Sequence, residues 1–102
     1  MKIEILHIEE CPNWFEAGQR VRAALERAEL PAVTIDYRLL SSSEEAAQVP
    51  FAGSPTILVD GVDAFPTGGQ IVDLACRVYR TDTGFAGTPT VDQLVQAFRG
   101  RA

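Results

Sequence analysis

A chain of 102 residues, 46% hydrophobic and 23% charged, has material for one core and is expected to fold as a single domain over residues 1–102. Its formal net charge of −5 argues against nucleic acid or an anionic membrane as partner, since both demand a basic patch. No apolar run approaches the roughly 20 residues of a bilayer span. No basic, then apolar leader opens the chain, so a cytoplasmic location with reduced thiols is expected.

Met1 to Ile8 reads as a strand, with Ile3, Ile5 and His7 on one face and Leu6 and Ile8 on the other. Apolar residues on both faces mark an inner strand covered on both sides. The period then changes: Trp14, Gly18, Val21, Leu25 and Ala28 recur at helical spacing, predicting a helix over Trp14 to Ala28 that Leu30-Pro31 ends. Glu16 and Arg20 form an i,i+4 pair on it. Val33, Ile35, Tyr37 and Leu39 alternate with polar residues, a strand with one buried face. Strand, helix and strand in this order make a βαβ unit.

Ser41 with Glu44 and Ser42 with Glu45 offer two overlapping capping boxes for a short helix running towards Val49, which Pro50 stops. Ile57-Leu58-Val59 is a third strand, and Asp60-Gly61 is a hairpin signal, so Val62 to Phe65 should pair back as an edge strand. Thr67 to Gly87 is less regular. Ile71, Leu74, Ala75 and Val78 fit one helical face, with Asp73 and Arg77 an i,i+4 pair, and Thr81 to Thr88 reads as a surface loop. Thr90 with Gln93 caps a last helix whose stripe is Val91, Leu94, Val95 and Phe98, with Gly100 at its end.

Chemistry is easiest to argue at Cys11, placed where the first strand turns into the first helix. The unpaired N–H groups of a helix start favour a negative charge, so a thiolate there gains reactivity. Pro12 suits the first helical position, where its missing N–H loses nothing. Glu9 and Glu10 oppose that effect by their charge. Cys76 has two readings: a small buried hydrophobe among Leu74, Ala75 and Val78, or a second thiol that meets Cys11 as resolving cysteine or as co-ligand of a soft ion. His7 either tunes Cys11 or is a hydrogen-bonded core residue. Trp14 reads as helix packing, with shielding of the thiol as the alternative. Asp60 and Asp63 need no cation, because the turn explains Asp60. Arg77 and Arg80 read as solvated, with an anion role as the alternative.

The order β-α-β-α-β-β-α, with Cys11-Pro12-Asn13-Trp14 at the first strand-to-helix turn and Ser54-Pro55-Thr56 at the start of the third strand, resembles the thioredoxin superfamily. The stretch from Phe51 to Gly61, followed by Cys76-Arg77-Val78-Tyr79-Arg80, looks closer still to small bacterial thioredoxin-like proteins, some labelled alkylmercury lyase. The resemblance implies an α/β three-layer sandwich with a central mixed sheet and an irregular insertion before the last helix. It implies Cys11 as nucleophile, and Pro12, Trp14, Ser54, Pro55 and Thr56 as the surface that receives a thiol substrate. It also implies a proline loop at Pro55 of the cis kind. The chain departs from the family pattern at Trp14, which stands where a second, resolving cysteine would be.

Three functions are therefore expected to compete. The first is a monothiol redox or thiol-transfer protein acting on a thiol-containing small molecule or protein through Cys11. The second is a non-catalytic binding module that uses the same groove, or an edge strand for homodimerisation. The third is soft-metal or organomercurial handling by Cys11 with Cys76, with Glu9, Glu10 or His7 as proton donor. No cofactor and no resident metal are called for.

Overall fold

The structure, a computed structural model, describes residues 1–66 and 74–100. Its first strand, β1 (Ile3–His7), pairs on both edges and is covered on both faces, and the coverage is why its sequence is apolar on both. Its two faces feed two separate apolar clusters. On one, Ile3 and Ile5 meet Val21, Ala24 and Leu25 of α1 (Asn13–Arg27) and Leu94, Val95 and Phe98 of α3 (Val91–Arg99). On the other, Leu6 and Ile8 meet Cys11, Leu40, Phe51, Leu58 and Ala46 of α2 (Ser43–Ala47).

The four-stranded sheet runs β2 (Ile35–Leu39), β1, β3 (Thr56–Val59), β4 (Val62–Asp63). β1 and β2 are parallel, and β3 is antiparallel to both β1 and β4, so the sheet is mixed. The β3–β4 turn is Asp60-Gly61 with both residues at positive φ, 51° and 83°, the geometry that matches strand twist in a two-residue hairpin. Each helix starts close to where its cap predicts. Thr90 and Gln93 form a full capping box, and Ser42 accepts from the Glu45 amide while Glu45 accepts from the Ser41 amide at 3.1 Å. Pro12 stands one residue before the first turn of α1, and α2 ends at Ala47, before Val49.

Three expectations change. β2 has no buried face: Tyr37 is 48% and Leu39 46% exposed, and among the described residues β2 is an outer strand with only β1 beside it. Leu74, Ala75 and Val78 do not share a helical face; Cys76 makes a parallel bridge to Ser54 and Val78 is exposed. Ile71 and Asp73 lie outside the described residues, and the carboxylate that pairs with Arg77 is Asp63, at 2.9 Å. The expected loop before α3 contains a second two-stranded sheet, β5 (Tyr79–Thr81) with β6 (Gly84–Ala86). Its strands are too short to carry an apolar alternation, and Tyr79 alone anchors it inward, with its ring against Phe65.

His7 ends β1 on the α1 side, stacked on Trp14 at 4.8 Å between ring centroids. Its Nδ1 is buried without a hydrogen-bond partner among the described residues. Burial holds the imidazole below its usual 6.5, since the charged form would lose hydration, and hydrogen bonding with the Ile8 backbone opposes this only in part. The unfolded chain therefore takes up a proton near pH 6.5 that the folded chain refuses. Stability is fully present above that value and declines as pH falls through it. Urea midpoints measured from pH 7.5 to 5.5 should drop, and His7→Phe, which keeps the stack and removes the titrating ring, should flatten the decline.

Candidate functional site

The site is built around the peptide groups of Ser54. Its amide donates to the Ala75 carbonyl and its carbonyl accepts from the Arg77 amide, both at 2.8 Å, which lays residues 75–77 alongside the start of β3. Such close approach needs Gly53. A Cβ there would lie 2.7 Å from Cβ and 3.0 Å from Cα of Arg77, and the φ of +110° suits glycine in any case. Ser54 Oγ accepts from the Ile8 amide at 3.1 Å, fixing the same residue to the end of β1. The Ser54–Pro55 bond is cis.

Residues 75–77 are braced from outside. Arg77, only 5% exposed, donates to the Asp63 carboxylate and to the Phe65 carbonyl, and its guanidinium lies 4.5 Å from the Tyr79 ring centre. The Tyr79 hydroxyl donates to the Pro55 carbonyl. Burial pushes that hydroxyl's pKa up, more than the nearby Arg77 charge offsets, so it stays a neutral donor. Arg77 is thus a buried strut and not a solvated cation.

Cys11 is fully buried in the α2-side cluster. Its Sγ donates to the Ser54 carbonyl at 3.5 Å and accepts from Asn13 Nδ2 at 3.6 Å. Asn13 is held close to Gly87, where any Cβ would collide with its amide. Cys76 is exposed, and both thiols are free. The Cys76 thiol is pushed up to about 11, first by hydrogen bonding with Cys11, then by burial, and then by the negative charges of Cys11 and Glu10. The bridge to Ser54 therefore brings together two cysteines far apart in sequence, one facing solvent and one sealed behind it. The buried-hydrophobe reading of Cys76 fails, because this segment is extended with Cys76 facing water.

The other expected residues divide. Pro12 is exposed beside Cys11, and Ser54 and Pro55 adjoin the thiols. Thr56 is buried and serves the local chain: its Oγ1 donates to the Gly53 carbonyl and accepts from the Ala52 amide. Trp14 belongs to the opposite face, packed on His7 and edge-on to Tyr37 at 5.6 Å, so it does not cover the sulfur of Cys11. His7 shares that face. Asp63 is engaged by Arg77, and among the described residues no group of three or more acidic, histidine or cysteine side chains is placed to hold a metal ion. Nor is any described helix long and apolar enough to cross a membrane.

From the sequence, Gly53 and Tyr79 have no assigned role, Asn13 enters only as part of the Cys11–Trp14 motif, and Arg77 reads as solvated or anion-binding rather than as a buried strut. A glycine just before Ser-Pro was a usable signal for close backbone approach. The roles of Arg77 and Tyr79 depend on contacts that no local pattern encodes. No family model, no curated protein and no solved structure matches this chain.

Exposure alone would make Cys76 the faster thiol, whereas its interaction with Cys11 makes it slow. With the chain reduced, alkylation of Cys76 at pH 8.5 should lag well behind that of a free cysteine. Cys11→Ala should speed it by roughly tenfold, as the thiolate fraction recovers. Gly53→Ala, which prevents close approach of residues 75–77, should speed it as well and lower stability by about 1–3 kcal/mol. Mass spectrometry of labelled peptides reads both effects.

Proposed function

We propose that this chain is a thioredoxin-like thiol–disulfide exchange protein whose working pair is Cys76 outside and Cys11 inside. What carries the reading is the bridge between Ser54 and Cys76, which sets an exposed thiol against a buried one. The helices on both faces of a mixed sheet, and Ser54-Pro55 opening β3 beside Cys11, support a thioredoxin-like arrangement. The roles differ from those expected of the sequence. Cys11, with no exposed surface, is not the thiol that a bulky disulfide meets first.

In the reducing direction the Cys76 sulfur attacks one sulfur of a substrate disulfide. Its proton passes to water or to the departing sulfur, and one substrate sulfur leaves. The Cys11 thiol gives its proton to water, and its sulfur then attacks Cys76 in the mixed disulfide. The Cys11–Cys76 bond forms, and the second substrate thiolate leaves and is protonated. The substrate gains two electrons and two protons, and the cysteine pair loses them. A second dithiol returns the pair to the reduced state by the same steps in reverse. The Cys11 sulfur is held for this by the Ser54 carbonyl and the Asn13 amide.

A second reading keeps the same pair as a two-coordinate site for a soft ion such as Hg(II) or Cu(I), favoured by two neighbouring thiols without further ligands among the described residues. Cleavage of a carbon–mercury bond would add the need for a proton donor, and Glu10 is the carboxylate whose charge reaches Cys76. The non-catalytic groove reading is the least supported, since the Ser54 amide and carbonyl are already taken by residues 75 and 77.

The test is reduction of a model protein disulfide with a small dithiol as reductant. The wild-type chain should exceed the uncatalysed rate and oxidise with loss of two hydrogens. Cys76→Ser should return the rate to background, and Cys11→Ser should accumulate a mixed disulfide at Cys76. Equal rates for all three proteins, or a mixed disulfide trapped at Cys11 instead, would remove the proposal. Stoichiometric Hg(II) binding that either substitution destroys, without exchange activity, would favour the second reading.

A further inference from the structure

Among the described residues, β2 has a partner strand on one edge only, β1, and its other edge is unpaired. We infer that this edge is a self-association surface at which β2 pairs antiparallel with β2 of a second copy of the chain, about a two-fold axis at Tyr37.

The backbone supports it first. The Leu40 amide donates to the His7 carbonyl at 2.8 Å. By the alternation of a parallel ladder, the amides and carbonyls of Asp36 and Arg38 also face β1, and those of Ile35, Tyr37 and Leu39 face outward. An antiparallel partner centred on Tyr37 meets these outward groups as the pairs Tyr37–Tyr37, Ile35–Leu39 and Leu39–Ile35, each exchanging both N–H···O bonds.

The side chains select that register. It sets Asp36 opposite Arg38 of the second copy, and Arg38 opposite Asp36 of the second copy, at the pairs where side chains come closest. The two neighbouring registers of the same parity place Asp36 on Asp36 or Arg38 on Arg38, like charges that repel. The apolar side chains of the strand also match, isoleucine to leucine and tyrosine to tyrosine, on the α1 face.

The flanking surface is unusually apolar for an exposed edge. Phe15 on α1 is 60% exposed, and a groove of about 470 Å³ lined by Phe15, Gly18, Gln19, Arg22, Ile35 and Tyr37 runs along the strand. Gly18 lets the Tyr37 ring lie on the helix, where a Cβ would strike it. Antiparallel pairing about a two-fold axis normal to the sheet puts both copies of α1 on the same face. Phe15 of each copy then flanks the seam. Natural edge strands are usually guarded by bulges, prolines or inward charges, and β2 carries none of the first two, while its charges are self-complementary.

Sedimentation equilibrium of the full chain between about 10 μM and about 1 mM tests this. The wild type should show a monomer–dimer equilibrium. Asp36→Arg and Arg38→Asp should each raise the dissociation constant about tenfold, and the double variant should restore it. Net charge does not account for that pattern, because the first change makes the chain less negative and the second more negative. Both positions are exposed, and circular dichroism verifies that each variant is folded. A wild type that stays monomeric, single variants that associate like the wild type, or a double variant that fails to recover would each overturn the proposal. Association of the wild type only with added foreign peptide would do so too.

Discussion

The structure depends on the two peptide groups that flank Ser54. Ser54 joins the end of β1 through its hydroxyl, the Cys11 sulfur through its carbonyl, and residues 75 and 77 through its amide and carbonyl. Ser54 is fully buried, so each of its bonds replaces one that water would otherwise make, and leaving one of its groups unpaired would cost about 1–3 kcal/mol. Gly53 is the condition for this arrangement, since a side chain there would occupy the space of Arg77.

From that hub follows a division between the two faces of the sheet. The α1 face holds an aromatic group of Trp14, His7, Tyr37 and Phe15, with the histidine kept uncharged by its surroundings. The α2 side holds Cys11, and the start of β3 brings Cys76 to it. The histidine and the thiols therefore do not share a site. Electrostatic influence on Cys76 comes instead from Cys11 and Glu10. Hydrogen bonding with Cys11, burial and nearby negative charge keep the proton on Cys76 to higher pH than in a free cysteine.

The elements legible from the sequence are those whose information is local. The alternation of Ile3, Ile5, Leu6 and Ile8 sorted correctly into two clusters, because side-chain direction in a strand follows position parity. The box at Thr90 and Gln93 and the turn at Asp60-Gly61 were equally direct, each being a short-range hydrogen-bond or dihedral requirement. β2 was misjudged. Alternation identifies a strand but not its place in the sheet, and an outer strand can display the apolar residues that an inner one buries. Residues 74–78 misled for a similar reason: their helical spacing was real, but the backbone of Ser54 offered an extended pairing that propensity does not weigh.

By itself, the sequence determined an acidic α/β chain with a strand-to-helix turn at Cys11, a proline turn at Ser54-Pro55 and a capped final helix. Such features need only neighbours within one turn or one hairpin. Tertiary structure alone decided that Cys76 faces solvent beside Cys11, that Arg77 is a buried strut between Asp63 and Tyr79, and that Trp14 belongs to the other face. Those placements arise from bonds between segments distant along the chain. Nothing in the spacing of residues says which buried amide a remote carbonyl will reach.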